Sequence, residues 1–237
     1  AAALQVAAAA KGTSIALTRV GSRGMVWLEP LVEVEDASGQ RIAYGPVMAG
    51  DVPRLVDAGL FDTAPHPLRL GRVADMPWFA QQERLTFARV GIIDPVRVDD
   101  YVAHGGFAGL KRALGLSGAE IVDEVLESGL RGRGGAAFPT GIKWRTVLEQ
   151  QSPQKYVVCN ADEGDSGTFS DRMLMEGDPL CLIEGMIIAG LAVGATRGYI
   201  YLRCEYPHAG HALREAIEAA RVRGYLGPDV CGCGKAF

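Results

Sequence analysis

The chain has 237 residues, 48% hydrophobic and 22% charged, which suits a folded protein of one large or two small domains and excludes a disordered or fibrous one. A formal net charge of −4 excludes the basic surface excess of a nucleic-acid binder, so basic clusters are read locally, as phosphate contacts. Five cysteines (Cys159, Cys181, Cys204, Cys231 and Cys233), odd in number and scattered, exclude a secreted disulfide framework and point to a reducing cytoplasm.

The chain opens on "AAALQVAAAA" without Met or a signal peptide, so an incomplete N-terminus is expected. Strands are predicted at 14–20 ("SIALTRV"), 31–36 ("LVEVED") and 39–46 ("GQRIAYGP"), the last two pairing as a hairpin. A helix over 51–61 takes Asp51 as its N-cap, and a polar, proline-bearing connector runs to about Pro77. The second part starts near Trp78. "DPVRVDDYVAHGGFAGLKRALG" has helical spacing broken at Gly105-Gly106. Ser117 and Glu120 form a capping box for a helix with an apolar stripe of Ile121, Val122, Val125 and Leu126, closed by Gly129. A glycine-rich loop follows, then a helix over 141–150, a strand over 155–160, a buried helix over 179–194, a strand over 197–204 and an amphipathic helix over 208–224. Strand, helix, strand, helix at this spacing implies parallel strands. The apolar run 179–195 is shorter than the roughly 20 residues of a membrane span and contains Glu184.

Two segments carry chemistry. "GLRGRGGAAFPTGIKW" (129–144) is too rich in glycine for a regular helix or strand. It is not a P-loop: Gly135 and Gly141 are one residue too far apart, and Trp144 stands where a magnesium-binding hydroxyl belongs. Nor is it an ordinary dinucleotide fingerprint, because a helix rather than a strand precedes it. Its glycines allow backbone N–H groups to converge on an anion, Arg131, Arg133 and Lys143 add charge, and Phe138 and Trp144 offer flat surfaces. A plain connecting loop with incidental basic residues remains open on composition alone. "VVCNADEGDSGTFSDR" (157–172) places Asn160, Asp162, Glu163 and Asp165 just past a strand's carboxyl end, where α/β sheets bind ligands. Ser166 and Thr168 read as turn residues there.

Together, "SGLRGRGGAAFPTGIKW" and "CNADEGDSGTFSDR" resemble the family of FMN- and NADH-binding flavin subunits of respiratory complex I, which includes the flavin subunits of NAD-reducing hydrogenases and NAD-dependent formate dehydrogenases. "GIIDP", "DDYVAHGGF" and "YIYLRCEYP" extend the resemblance over about 78–237. "VGSRGMVWLEP" (20–30) is similar to the second cysteine segment of thioredoxin-like [2Fe–2S] domains, with Ser22 and Val26 where thiolate ligands would stand. The resemblance implies an α/β fold: an incomplete thioredoxin-like module (1–62), a linker (63–77) and the N-terminal part of a Rossmann-like FMN/NADH-binding domain (78–237).

It also implies roles. Arg131, Gly132, Arg133, Gly134, Gly135 and Lys143 would hold the FMN phosphate and ribityl chain. Asn160 and Asp162 would hydrogen-bond the flavin, Phe138 would stack on the dinucleotide, and Glu163 would act at the nicotinamide as the catalytic residue. Cofactors are FMN and NAD; a [4Fe–4S] cluster is expected in a longer subunit, since the family continues with a G-E-E segment and a cysteine-rich domain that lie outside these residues. No metal site is assigned. Cys231 and Cys233 do not fit the family's C-x-x-C-x-x-C, and His208 and His211 read as surface or capping residues. The "EGDSGTF" turn and the thioredoxin-like front end favour the β (diaphorase) subunit of a soluble NAD-dependent formate dehydrogenase over a hydrogenase diaphorase or a complex I subunit. Its implied partners are a small [2Fe–2S] thioredoxin-like subunit and a catalytic formate dehydrogenase (or hydrogenase) subunit, with no nucleic acid and no membrane span. A competing reading of another class is a non-catalytic docking fragment.

Overall fold

An apolar alternation becomes a strand only where the backbone also finds a ladder partner, and the first of two units, Ala1–Ala88, shows both outcomes. In the computed structural model, which describes residues 1–237, Val32–Glu35 (β1) and Arg41–Tyr44 (β2) form the expected antiparallel hairpin, Val32 opposite Tyr44 and Glu35 opposite Arg41. Asp36 builds its turn by accepting the N–H groups of Ser38 and Gln40 at 2.8 and 3.0 Å. By contrast, 14–20 forms no strand: Ile15 and Leu17 pack on the core, but no neighbouring strand pairs with them. The stretch 63–77, expected as a connector, instead holds Arg69–Arg72 (β3), which pairs antiparallel with β2 to complete the sheet order β1-β2-β3. Its sequence, RLGR, lacks the β-branched residues that mark a strand.

Three helices complete this unit. Ala2–Ala10 (α1) and Val52–Asp57 (α2) join β2 around a core that includes Leu4, Ile42, Tyr44, Leu55 and Leu60. The second helix starts after Asp51, as expected, but stops early, because Gly59 at φ 89° turns the chain into a 3-10 segment, Leu60–Asp62. Pro77–Ala80 (α3) carries Trp78, whose ring meets Trp27 edge to face at 5.3 Å. The Ser22 hydroxyl donates to Glu29 at 2.5 Å, and Val26 is exposed.

In the second unit, Arg89–Phe237, the predicted order appears with one addition. Val98–Ala103 (α4) and Ala108–Ala113 (α5) flank the break at Gly105-Gly106. Gly118–Glu127 (α6) opens on the predicted capping box: Ser117 Oγ accepts the N–H of Glu120, and Glu120 Oε2 accepts the N–H of Ser117 at 2.7 Å. Such a cap is worth about 1 kcal/mol. Thr140–Glu149 (α7), Tyr156–Ala161 (β4), Pro179–Val193 (α9), Arg197–Leu202 (β5) and Pro207–Val222 (α10) all stand where periodicity put them. The addition is Ser170–Gly177 (α8), in a stretch expected to be a turn.

Helix α9 is apolar on all sides because α5, α6, α7, α8, α10 and β4 surround it. None of the helices is long and apolar enough to cross a membrane. Its buried Glu184 accepts the Tyr101 hydroxyl at 2.5 Å and the N–H groups of Phe107 and Leu110 at 2.8 and 2.9 Å, so it caps α5 from across the core. Asp178, fully buried ahead of α9, accepts Arg89 Nε at 2.8 Å through Oδ2, while its Oδ1 has no partner. Burial pushes its carboxyl up to about 6, against the pull of Arg89.

The strands β4 and β5 are parallel, as expected, with Asn160 opposite Tyr201 and Ala161 opposite Leu202. Val157, Cys159, Ala161, Ile200 and Leu202 face the helices. On the other face Tyr156, Val158, Tyr199 and Tyr201 are exposed.

Candidate functional site

The glycine loop is closed at its neck and open at its tip. Arg131 bridges to Pro139, the Gly132 N–H donates to Phe138 O at 2.9 Å, and the Thr140 N–H donates to Leu130 O at 2.9 Å. Beyond this neck the tip is tied by one bond, from the Ala137 N–H to Gly134 O at 3.0 Å. Two of the five glycines in 129–144 have a reason inside the chain. Gly129 takes φ 68° to end α6, and a side chain at Gly141 would collide with Leu126. Gly132, Gly134 and Gly135 have no such reason. None adopts positive φ, an added Cβ at Gly134 or Gly135 would meet open space, and at Gly132 it would meet only ordinary contacts. Packing and backbone conformation therefore leave these three unexplained, and the close approach of a ligand to the backbone would account for them.

The charges around the loop point the same way. Arg131, Arg133 and Lys143 are exposed on the loop and the first turn of α7, and no carboxylate pairs with any of them. Helix α7 has no side-chain cap, so its positive end is left to neighbouring groups. Phe138 is half exposed, available to stack. Trp144, read from sequence as a second flat surface, is half-buried and packs one side against the main core of the unit.

The acidic turn is more tightly knit. Asn160 Oδ1 accepts the N–H of Asp162 at 3.1 Å, and both side chains lie at the exposed carboxyl end of β4. With Val158 and Tyr201 they line an open depression of 520 Å³, within the range of about 300–1,000 Å³ usual for ligand sites. A larger cavity, 710 Å³, lies by Gly198, Leu213, Arg214 and Phe237 and includes none of the residues picked from the motifs.

Glu163, at φ 45°, has a different environment. Its carboxylate accepts the N–H of Asp171 at 2.7 Å and of Arg172 at 3.1 Å, the Ser170 hydroxyl at 3.2 Å and the Tyr206 hydroxyl at 3.0 Å. Its backbone carbonyl accepts Arg203 Nη1 at 2.5 Å. Glu163 thus caps the N-terminus of α8 and ties it to α10. Burial alone would raise its pKa, but these donors hold it below the usual carboxylate range. A carboxylate offers about four lone-pair positions, and the four donors occupy them. Asp165, Gly167 and Thr168 form the expected turn, with the Thr168 N–H on Asp165 O at 3.1 Å and Gly167 at φ 81°.

The structure thus joins Asn160 to Asp162 and, through the neck of the loop, Arg131 and Gly132 to Phe138 and Pro139, while no hydrogen bond or ion pair joins the two groups. Sequence reading missed Tyr201, Arg203 and Tyr206 as members of the site. Their signal lay in "YIYLRCEYP", which entered the sequence reading as part of a strand over 197–204 and of the family resemblance, with no role given to its individual residues.

Comparison with known proteins extends these observations. Residues 125–234, which include both motifs, match the family model described as the Nuo51 FMN-binding domain. The NADP-reducing hydrogenase subunit HndC of Solidesulfovibrio fructosivorans is 52% identical over 157 residues, covering 66% of this chain and 32% of that protein. A subunit of the NADH-quinone oxidoreductase of Aquifex aeolicus (strain VF5) is 50% identical over 137 residues, covering 58% of this chain and 32% of that protein. A solved NAD+-reducing [NiFe]-hydrogenase in its air-oxidized state aligns with 94% of this chain and 38% of its own, at 24% identity and a TM-score of 0.48. The chain spans about a third of the length of these two curated relatives. Its resemblance to the FMN- and NADH-binding flavin subunits therefore holds, with the mixed α/β fold that it implied.

Proposed function

We propose that this chain forms the flavin-binding part of a 51 kDa-type subunit that passes electrons between NAD(H) and FMN. Gly132, Gly134 and Gly135, glycines with no internal reason to be glycine and ringed by unpaired cations, carry that reading. Arg131, Arg133 and Lys143 would neutralise the FMN phosphate while the loop backbone approaches it, and a basic side chain beside a phosphate oxygen is a strong charge-assisted contact. Asn160 and Asp162 would orient the ring system by hydrogen bonds from the carboxyl end of β4. Phe138 would stack on the dinucleotide. FMN bound there supplies the chemistry, accepting a hydride and releasing single electrons; the protein supplies position and field.

Glu163 enters this reading as a positioning residue. Its carboxylate, engaged by α8 and Tyr206, fixes the turn that presents Asn160 and Asp162. The direct contact with nicotinamide implied by family resemblance requires it to release one of these donors.

The finer proposal is the diaphorase subunit of an NAD-dependent formate dehydrogenase, supported by the "EGDSGTF" turn and the thioredoxin-like character of "VGSRGMVWLEP" with Ser22 and Val26 in place of ligands. A hydrogenase diaphorase is the second reading, favoured by the 52% identity to HndC. In either case the proposed partners are a [2Fe–2S] subunit and a catalytic subunit. The protein purified in its native complex should show a flavin spectrum and NADH-dependent dye reduction; absence of both ends the proposal. Formate-dependent NAD+ reduction by that complex identifies the first reading, and hydrogen-dependent reduction without formate activity identifies the second.

A further inference from the structure

Parallel strands are normally covered on both faces, yet β4 and β5 leave a row of large side chains bare. Tyr156 and Tyr199 pair their rings at 5.9 Å toward one end of that face. Tyr201 is different: it is 68% exposed and has no ring partner, no hydrogen bond and no ion pair. The register sets it directly opposite Asn160 on the neighbouring strand. Cross-strand neighbours share a face with Cβ atoms about 5 Å apart. Tyr201 and Val158 therefore form the apolar part of the 520 Å³ depression, and Asn160 and Asp162 form its polar part. A flat apolar surface beside hydrogen-bonding groups that read a ring edge suits a planar heteroaromatic ligand. A lone phosphate would leave the exposed phenol uncovered.

We propose that Tyr201 is a positioning residue for the flavin, its phenol ring packing against the isoalloxazine that Asn160 and Asp162 hydrogen-bond. This rests on the FMN-binding reading and adds to it the residue that sets the plane of the ring. A phenol in van der Waals contact with a flavin shortens the lifetime of its excited state by reversible electron transfer, with no net chemistry, so contact has a spectroscopic signature. Tyr199, already paired with Tyr156 one row away, is not assigned this role.

The test uses FMN itself, titrated into the purified apoprotein, with fluorescence lifetime and Kd as readouts. Tyr201→Phe should hold FMN within about two-fold and lengthen the flavin lifetime. Tyr201→Ala should weaken FMN about ten-fold, the scale of a lost aromatic contact. Tyr156→Ala, on the same bare face but outside the depression, should change neither, and unaltered circular dichroism excludes general unfolding. Wild-type protein that binds FMN while both Tyr201 variants match it in Kd and lifetime overturns the role of Tyr201 and leaves the flavin reading intact. Wild-type protein that binds no FMN overturns both.

Discussion

Glu184 and Asp178 lie deep in the second unit, and each carboxylate is met by donors from its own chain. Arg131, Arg133 and Lys143 lie on the glycine loop and its helix, and none of them meets a carboxylate. The difference separates charges that hold the fold from charges left to solvent. A buried ion left unpaired costs several kcal/mol, so the interior provides partners for its charges. A solvated cation costs little, and its lack of a partner informs only where neighbouring glycines also lack an internal purpose.

The strongest test removes the interior anchor. Glu184→Ala leaves the Tyr101 hydroxyl and two backbone N–H groups without an acceptor, and should cost about 3–5 kcal/mol in urea unfolding. A loss under about 1 kcal/mol would show that α5 does not depend on that carboxylate. Arg89→Met, which strands the Asp178 charge, should cost about 3 kcal/mol at neutral pH. Because the folded Asp178 pKa, about 6, lies above its ordinary value, the stability linked to its protonation is fully present below about 3.9 and is lost as pH rises through about 6. The variant should therefore regain stability between pH 7.5 and 5. An equal deficit at both pH values would contradict the raised carboxyl.

On the loop the expectation reverses. Gly134→Val should leave stability within about 0.5 kcal/mol, since its side chain meets open space, yet abolish FMN retention. A variant that keeps its flavin would break the contrast between the two regions. Glu163→Gln should have the smallest effect. Wild-type Glu163, with its pKa lowered, adds stability above the ordinary glutamate value of about 4.3 that is lost as pH falls through its folded value. The variant should keep FMN and lose that acid dependence, read as circular dichroism between pH 5 and 3. Unchanged acid sensitivity would remove Glu163 from its capping role.

Much of the second unit was legible because its signals are local. Ser117 and Glu120 are three residues apart and cap the same turn. Gly194 and Gly224 close α9 and α10 where periodicity ends. Helix α8 was not legible, since its cap, Glu163, sits seven residues before Ser170, on the far side of a turn. Strand β3 was missed and 14–20 overread for one shared reason: side-chain character suggests a strand, but the ladder partner decides it.

The sequence by itself determined the order of helices and strands in the second unit apart from α8, the glycine loop with its cations, and the acidic turn after β4. These follow from periodicity, capping and backbone freedom within a few neighbouring residues. Only the tertiary structure decided which glycines answer to their own chain and which face open space. It alone joined Glu163 to Tyr206, 43 residues away, and set a bare Tyr201 beside Asn160. Those facts depend on which side chains meet across the fold, and spacing along the chain does not encode them.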